Sequence, residues 1–482
     1  MNSAFQRGNP ARPLWAGLVV PGLLLGLLAC GGGASNIRPA TTPNVPTLSV
    51  PATGTTGFPV TAAVQGPSSF ASYSWTITPS SATFQGGGAT ATGTTVVFTS
   101  STPGTVSLTC TATAGNVLSA QPVSATVTIN PPSTSAGSFQ PAGSLLQGRI
   151  GLAAALLPNG SILVTGGSAT AGGAALTSTE VYNPTSQTSL SGPAMNTARL
   201  NHAVAPVNGT LFLVTGGGAA PVGTPPSNPN SEIYDSGLGT FSVPTGLMAT
   251  NRAYHTATSL SAQGGVLVAG GLSAAGAQLN SEELYTSSTQ TFASAGSVTL
   301  APYHTATRLP NGKILLVSHT GGGSSWAPFA TIYDPGTQTF TAPANQPQVP
   351  REGHQAILLP SLNPPMVLIL GGSAGSGPVA SAEWFNTATS RFSAVGAMAS
   401  PREDFGAAIL PSNQVLLLGG SADGSTALVT AEIFDPVAQT FTPAANLGSA
   451  RISPTVFQLS TGRILVLGGS GPQGAVTAVE SF

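Results

Sequence analysis

The sequence predicts an all-β protein, and three observations support this prediction. Charged residues make up only 6% of the 482 residues, and Lys313 is the single lysine, whereas helix-rich proteins carry many exposed charges. The chain contains 61 Gly and 41 Pro, which favours many turns. Apolar residues alternate with polar ones in short stretches, and a pattern of about fifty residues recurs through the second half.

The first thirty residues have the features of an export signal. Arg7 and Arg12 precede an apolar run at 14–28, which is too short to span a bilayer comfortably. The run leads to Cys30 and resembles a bacterial lipobox, in which the cysteine is lipidated and becomes the mature N-terminus. This resemblance implies a signal peptide at 1–29 and an exported, membrane-anchored lipoprotein of the outer membrane, periplasm or cell surface. The alternative is an ordinary signal peptide with an incidental cysteine.

A linker and a small β domain are expected next. Residues 30–46 have no apolar period and read as a flexible linker. Residues 47–131 contain short alternating strands, one with Trp75 and a later one with Cys110. This pattern resembles a bacterial immunoglobulin-like or PKD-like β-sandwich. Because Cys110 has no partner in this part, the inter-sheet disulfide of antibody domains is excluded, and we interpret Cys110 as a buried, inert thiol.

From residue 141 onward the chain repeats. The common pattern has a leading residue, an apolar strand, a tight turn, a second apolar strand ending in a Gly pair, a third strand with an acidic residue before an aromatic one, and a fourth strand with Phe. The leading residue is Arg149, Arg199, Arg252, Ala301, Arg351, Arg402 and Arg451. The acidic residue is Glu180, Glu232, Glu283, Glu383, Glu432 and Glu480.

These landmarks resemble the Kelch repeat. The resemblance implies a seven-bladed β-propeller at 137–482, preceded by the Ig-like sandwich. The seventh unit reaches Phe482 after only three strands, and the segment 137–145 resembles the missing fourth strand. We therefore expect 137–145 to close the last blade, which removes an exposed sheet edge.

The repeated charges are interpreted as structural. In an antiparallel blade the Arg, the Gly pair and the Glu meet at one end, so a bidentate Arg–Glu pair over the glycines is expected. The fourth unit loses all three features, because it has Ala301, Ser318-His319 and Thr331 instead. This joint loss supports the interpretation and leaves few charges for chemistry.

Candidate site residues are those that depart from the repeat. His202, His255, His304 and His354 share one repeat position with Leu and Phe, which favours packed or channel-facing side chains over ligands. The other departures gather in blades four to six. The expected ligand face consists of Tyr303, His304, His319, Glu352, His354, Glu403 and Asp404. The alternative is a solvated rim shaped by sequence drift.

Several functions can be excluded. A net charge of −1 with 13 basic residues excludes a nucleic-acid surface. Galactose-oxidase-like members of the resembled family need a copper site with a Cys–Tyr cross-link, and the propeller segment contains no Cys. No metal site, cofactor or catalytic residue is assigned from the sequence.

The sequence favours a binding protein over an enzyme. We expect a lipid-anchored cell-envelope recognition protein whose propeller binds a glycan or protein ligand, with the membrane as partner through the lipid. The alternative is a carbohydrate-active enzyme, similar to sialic-acid epimerases, that uses the face of blades four to six. A purely structural envelope protein is a third possibility.

Overall fold

A computed structural model of the chain describes residues 47–55, 60–65, 72–84, 87–114, 117–118, 122–130, 137–218, 230–260, 264–322 and 325–482. The expected signal peptide, Cys30 and the expected linker lie outside these residues. All regular structure in the described residues is β, which confirms the predicted class. None of the described residues forms a helix long and apolar enough to cross a membrane.

The first ten strands form two sheets. One sheet has the order β1-β3-β7-β5, and the other has the order β2-β10-β8-β4-β6 with β9 paired to β8. The pair β2 and β10 is parallel, and the other pairs are antiparallel. The bounds are β1 Thr47–Ser49, β2 Thr53–Thr55, β3 Val60–Gln65, β4 Ser72–Thr78, β5 Ala82–Phe84, β6 Thr90–Thr92, β7 Thr95–Ser100, β8 Gly104–Ala114, β9 Val117–Leu118 and β10 Val123–Asn130.

Both sheets contribute to one apolar core. Along β4 every second side chain is buried, as the period-two pattern requires. Trp75 is fully buried, and its indole N–H donates to the carbonyl of Gly93 at 2.8 Å, so its polar atom is satisfied. Cys110 lies in the same core, and burial raises the pKa of its thiol to about 11, which keeps the thiol protonated.

The remaining described residues form seven four-stranded antiparallel sheets and one small hairpin. Sheets 1 to 6 run β12–β15, β16–β19, β20–β23, β24–β27, β28–β31 and β32–β35, each in chain order. Sheet 7 has the order β11-β40-β37-β36, and β38–β39 is the hairpin.

The strand bounds of sheets 1 to 3 are β12 Ala153–Leu156, β13 Ile162–Thr165, β14 Thr179–Asn183, β15 Thr188–Ser191, β16 Ala203–Asn208, β17 Leu211–Thr215, β18 Ser231–Asp235, β19 Thr240–Ser242, β20 Thr256–Ser259, β21 Gly265–Ala269, β22 Ser281–Thr286 and β23 Thr291–Ser297. Those of sheets 4 to 6 are β24 Thr305–Arg308, β25 Ile314–Thr320, β26 Ala327–Asp334, β27 Thr339–Thr341, β28 Gln355–Leu359, β29 Met366–Leu370, β30 Ala382–Asn386, β31 Arg391–Val395, β32 Gly406–Ile409, β33 Val415–Leu418, β34 Ala431–Asp435 and β35 Thr440–Ala444. Sheet 7 and the hairpin comprise β11 Gln140–Ser144, β36 Thr455–Gln458, β37 Ile464–Leu467, β38 Ser470–Gly471, β39 Gly474–Ala475 and β40 Ala478–Ser481.

The seven sheets form a closed ring. The first strand of each sheet contacts the first strand of the next, in the order β12, β16, β20, β24, β28, β32 and β36, and β36 contacts β12. These strands therefore surround a central axis. We call the end of the ring where first and third strands begin the upper face, and the other end the lower face.

The ring closes through an N-terminal strand. β11 pairs antiparallel with β40, with Gln140 opposite Ser481, and forms the outer strand of sheet 7. The ring of Phe139 packs on that of Phe482 at a centroid distance of 4.9 Å. Ala142 and Leu145 are buried in the core between sheets 7 and 1.

Gly pairs connect neighbouring sheets at the upper face. In sheet 2, Gly216 and Gly217 have φ angles of 62° and 87°, and the N–H of Gly217 donates to the carbonyl of Arg252 in sheet 3 at 2.8 Å. A Cβ on Gly216 would lie 2.1 Å from the same carbonyl oxygen, so only glycine fits there. Equivalent bonds join Gly167 to Arg199, Gly372 to Arg402 and Gly420 to Arg451.

Candidate functional site

The repeated arginines and glutamates form buried ion pairs. In sheet 2, Nε and Nη2 of Arg199 both donate to Oε1 of Glu232, at 3.0 and 2.8 Å, and Nη1 donates to the carbonyl of Gly216. The pair is therefore not bidentate on two carboxylate oxygens, because Oε2 accepts the backbone amide of Asn196 instead. The pairs among the described residues are Arg149–Glu180, Arg199–Glu232, Arg252–Glu283, Arg351–Glu383, Arg402–Glu432 and Arg451–Glu480, with N···O distances of 2.6–3.2 Å.

Sheet 4 departs from this arrangement. Ala301 and Thr331 stand where an Arg and a Glu would pair, and the hydroxyl of Thr331 donates to the carbonyl of Thr341. Because Ser318-His319 replaces the Gly pair, β25 does not end there but continues to Thr320 and pairs with β26 from Ala327. Sheet 4 thus extends further above the upper face than a Gly pair would permit.

A glutamate of sheet 3 compensates for the missing acid. Glu282, which is fully buried, accepts the backbone amide of Val298 through Oε2 at 2.9 Å, while Oε1 has no hydrogen-bond partner. Burial raises the pKa of this carboxyl to about 7. Glu282 also borders a cavity of about 200 Å³ on sheet 3. The sequence analysis missed this residue, although an extra Glu beside Glu283 was visible.

Four of the five histidines are packed inside the ring. The Nε2 atom of each lies 2.7–3.0 Å from a threonine hydroxyl of the preceding sheet. Burial lowers the pKa of all four, to about 3 for His202 and about 4 for His304, so they are neutral near pH 7. The pairs are Thr165–His202, Thr215–His255, Thr256–His304 and Thr305–His354.

Seven equivalent residues with positive φ surround the axis at the upper face, and we call them the axial ring. Each lies two positions after the leading residue of its repeat. Backbone hydrogen bonds join several of them from sheet to sheet; for example, the amide of Asp404 donates to the carbonyl of Gly353 at 2.9 Å. The axial ring consists of Gly151, Asn201, Tyr254, Tyr303, Gly353, Asp404 and Ser453.

The side chains of the axial ring are aromatic on one side and acidic on the other. The centroids of the Tyr254 and Tyr303 rings lie 4.6 Å apart. Tyr303 is 41% exposed, so its ring is open to solvent. The Asp404 carboxylate leans over Gly353, where a Cβ would lie 2.8 Å from Oδ1. The two glycines of the axial ring, Gly151 and Gly353, carry no side chain, so the larger residue that follows each of them in the ring occupies that space.

Two glutamates lie next to this ring. Glu352 and Glu403 each precede an axial residue and form an isolated bridge with the loop after the second strand, to Ser373 and Ser421. The other described sheets have Ile, Leu, Ala or Pro at this position. Burial, Glu403 and Glu352, in that order, raise the pKa of Asp404 to about 6. Burial first, and then Glu352 and Asp423, raise the pKa of Glu403. The carboxylates therefore form one electrostatic cluster.

His319 faces this cluster from sheet 4. Its ring stacks on the indole of Trp326 at 3.5 Å with an interplanar angle of 5°. Its Nε2 lies 3.5 Å from Oε2 of Glu352, yet neither ring nitrogen makes a hydrogen bond although the residue is only 5% exposed. The indole of Trp326 also lies against Gly375 of sheet 5. The extended hairpin formed by β25 and β26 thus covers the boundary between sheets 4 and 5.

The structure brings together five of the seven proposed ligand-face residues. Tyr303, His319, Glu352, Glu403 and Asp404 lie at the upper face, and the two others, His304 and His354, are buried between sheets. The sequence analysis missed two further aromatic residues of the face. Tyr254 could have been found because it occupies the same repeat position as Tyr303. Trp326 follows a loop of sheet 4 that has no counterpart in the repeat.

A copper centre does not fit the residues of this face. The described residues contain no group of three or more His, Cys, Asp or Glu side chains arranged to hold a metal ion. The sequence of the ring contains no Cys, and four of its five His are turned inward on threonines. The donors at the upper face are carboxylates, which suit hard cations better than copper.

Comparisons with known proteins place the fold. No protein-family model matches the chain, and no curated protein matches it. Among solved structures, the chain is similar to a fungal alcohol oxidase of the AA5 family, solved in complex with copper. The TM-score is 0.55 at 16% identity, over 72% of this chain and 75% of that one. Together with the repeated four-stranded sheets, this likeness shows a propeller-like all-β fold.

The comparison corrects one expectation. A recognition protein was expected from the sequence in preference to an enzyme, and the comparison contradicts this expectation, because a solved protein similar to this chain is an alcohol oxidase. That expectation rested in part on the lack of a catalytic motif in the repeat. The ionisable groups at the upper face depart from the repeat, so no repeated motif marks them.

Proposed function

We propose that the chain is a carbohydrate-active enzyme that uses acid–base chemistry at the upper face. One observation carries this proposal: three carboxylates from two adjacent sheets, Glu352, Glu403 and Asp404, meet beside an exposed tyrosine at the axis. A concave site with a few convergent polar groups and perturbed pKa values is the usual form of an active site.

Two of these carboxylates can take different roles in proton transfer, one as the acid and the other as the base. Asp404, whose pKa is about 6, holds a proton in part of the molecules near neutral pH and can act as the acid. Glu352, whose side chain is 29% exposed, is open to solvent and can accept a proton from the substrate. Two titratable groups in different environments are the usual basis for such a division.

Tyr303 supplies a surface for the sugar ring. Its exposed ring, fixed against Tyr254, offers an apolar face with a polar edge, a combination that suits the mixed surface of a sugar. Asn201 and Ser453 add hydrogen-bonding groups from the same axial ring. No step of this chemistry needs copper.

We also propose the finer architecture that the sequence indicated. The seven sheets in a closed ring, the Gly pairs and the Arg–Glu pairs support a seven-bladed Kelch-type propeller at 137–482. The two-sheet core around Trp75 supports an immunoglobulin-like or PKD-like sandwich at 47–131.

A lipid anchor on Cys30 remains part of the proposal. The sequence at 1–30 supports export and acylation, which would hold the enzyme at a membrane. Cys30→Ser should move the protein from the detergent phase to the aqueous phase in a phase-separation assay. Cys110→Ser, which changes the buried thiol, should leave the partition unchanged. A Cys30→Ser variant that still enters the detergent phase would refute the anchor.

The enzymatic proposal can be tested without knowing the substrate. The protein is incubated in D₂O with a panel of mono- and disaccharides, and ¹H NMR detects loss of carbon-bound protons or new anomeric signals. We expect one of these changes for at least one sugar, with chelator present, and its loss in Asp404→Asn. Asp435→Asn, in a lower-face turn, is the matched control. A panel without any reaction, or equal turnover by Asp404→Asn, would refute the proposal.

A further inference from the structure

Charges are segregated between the two ends of the ring. All Lys and Arg residues of the ring that are outside the six ion pairs lie at the lower face, namely Arg308, Lys313, Arg391 and Arg463. Arg308 ends a first strand, Arg391 begins a fourth strand, and Lys313 and Arg463 lie in turns between first and second strands. The arginines at the upper face are at most 1% exposed and paired with glutamates. The segments 219–229, 261–263 and 323–324, which lie outside the described residues, contain no Lys or Arg in the sequence.

The upper face therefore presents acids without basic residues to balance them. Glu352, Glu403 and Asp404 lie at the axis, and Asp423 lies in the loop beside Glu403. Burial first, and then repulsion from the neighbouring carboxylates, raises the pKa of Asp404 and that of Glu403. A bound cation would relieve that repulsion.

A second observation concerns a buried histidine beside the acids. His319 is 95% buried by exposed area, both of its ring nitrogens lack a hydrogen bond, and Nε2 points at Glu352 from 3.5 Å. A buried polar group without a partner is costly, so it marks a place where a ligand or its bound water completes the contacts. This unsatisfied side chain belongs to the one sheet that departs from the repeat.

The exposed aromatic group at the site also suits a cation. Tyr303 presents its ring beside the carboxylates, and the face of an aromatic ring attracts an ammonium group. An acidic sugar would need Arg or Lys at this face, and the face has none that is free in the described residues. A neutral sugar would gain nothing from the accumulated negative charge.

We infer that the substrate of the upper face is an amine-bearing sugar, such as a hexosamine with a free amino group, whose ammonium lies among Glu352, Glu403 and Asp404. This inference rests on the proposed function for the position of the site, and it adds the substrate class. N-acetylation, which removes the charge and adds bulk, should weaken binding strongly.

Calorimetry on the full chain tests this inference. The probes are an oligomer of glucosamine, the same oligomer fully N-acetylated, and ethanolamine, at a pH that keeps the amines protonated. We expect the glucosamine oligomer to bind at least about tenfold more tightly than the acetylated one, equal to about 1.4 kcal/mol. Its affinity should fall as salt rises, because salt screens the attraction.

Two variants sharpen the result. Glu403→Gln should remove most of the preference for the amine, and Asp435→Asn at the lower face should retain it. Equal affinity for the two oligomers, no binding of the glucosamine oligomer, or an unchanged preference in Glu403→Gln would overturn the inference. Ethanolamine binding as tightly as the oligomer would also overturn it, because the site would then select amines without regard to the sugar.

The outcomes separate this inference from the enzymatic proposal. Selective binding of the amine without any change in the D₂O assay would refute the enzyme and keep the ligand class. Turnover of neutral sugars without preference for amines would refute the ligand class and keep the enzyme.

Discussion

Glu282 of sheet 3 accepts a hydrogen bond from the backbone amide of Val298 at 2.9 Å. It thereby supplies to sheet 4 an acceptor that the third strand of that sheet lacks. In the six other sheets, the amide three residues before the leading Arg donates to the glutamate of the same sheet, as Leu146 does to Glu180 at 2.6 Å. Sheet 4 has Thr331 in place of that glutamate, so the chain that enters sheet 4 is held instead by Glu282 of sheet 3.

The burial of Glu282 predicts a specific pH dependence of stability. Folding raises the pKa of Glu282 from 4.5 to about 7, so the folded protein holds this proton more tightly than the unfolded chain. The contribution of Glu282 to stability is therefore complete below about pH 4.5 and falls as pH rises to about 7, by a total on the order of 3 kcal/mol. Glu282→Gln, which keeps an acceptor for Val298, should remove this decline.

Urea unfolding from pH 5 to pH 8 measures the effect. Asp404 also has a raised pKa, so it adds a smaller decline of the same sign below about pH 6. The double variant Glu282→Gln, Asp404→Asn should be flatter than either single variant. If wild type and Glu282→Gln lose stability equally over this range, the carboxyl does not titrate as described.

The buried pairs predict a large cost for a one-sided change. Arg199→Met should destabilise the protein by about 3–5 kcal/mol, because Glu232 is left buried without its cation. Lys313→Met is the matched control: its partner Asp334 lies at 2.9 Å in a solvent-exposed pair, and the loss of this pair should change stability little. Similar denaturation midpoints for the two variants would show that the buried pair is not structural.

Ring closure can be tested by truncation. A chain that starts at Gly148 lacks β11, and it loses the buried side chains of Ala142 and Leu145 and the contact of Phe139 with Phe482. Each large apolar side chain is worth roughly 1.5–3 kcal/mol, and an unpaired β40 is exposed as an edge. We expect a markedly lower melting temperature and aggregation.

A chain that starts at Gly137 is the control for this truncation. It lacks the two-sheet part but keeps β11, so its ring should unfold at the temperature of the full chain. Equal melting temperatures for the chains that start at Gly137 and Gly148 would mean that β11 does not close the ring.

Sequence reasoning could predict the repeated features because they have one geometric cause. The Arg, the Gly pair and the Glu meet in every regular sheet, so their spacing alone indicates their contact, and the all-β class and repeated sheets are confirmed. The role of Glu282 could not be predicted, because the repeat does not indicate that a glutamate can accept a hydrogen bond from the chain that enters the next sheet. The one-oxygen geometry of Arg199 on Glu232 depends on the amide of Asn196, which no motif contains.

The candidate site was only partly predictable for a related reason. The axial ring is defined by a shared backbone conformation, and its residues are Gly, Asn, Tyr, Asp and Ser, so no residue type marks it. His304 and His354 were placed at the face as ionisable groups of blades four and five, but strand geometry turns them inward onto Thr256 and Thr305. Tyr303, which precedes His304, lies in the axial ring instead.

The pH dependence of turnover by wild type and Asp404→Asn tests the central claim most directly. The account assigns the acid to Asp404, whose pKa is about 6, so turnover of the sugar identified by NMR should fall as pH rises above about 6. The Asp404→Asn variant should be slower by roughly 10²–10⁴-fold, and its rate should not show the decline with rising pH. An Asp404→Asn variant that folds and turns over with the wild-type rate and the same pH profile would contradict the account.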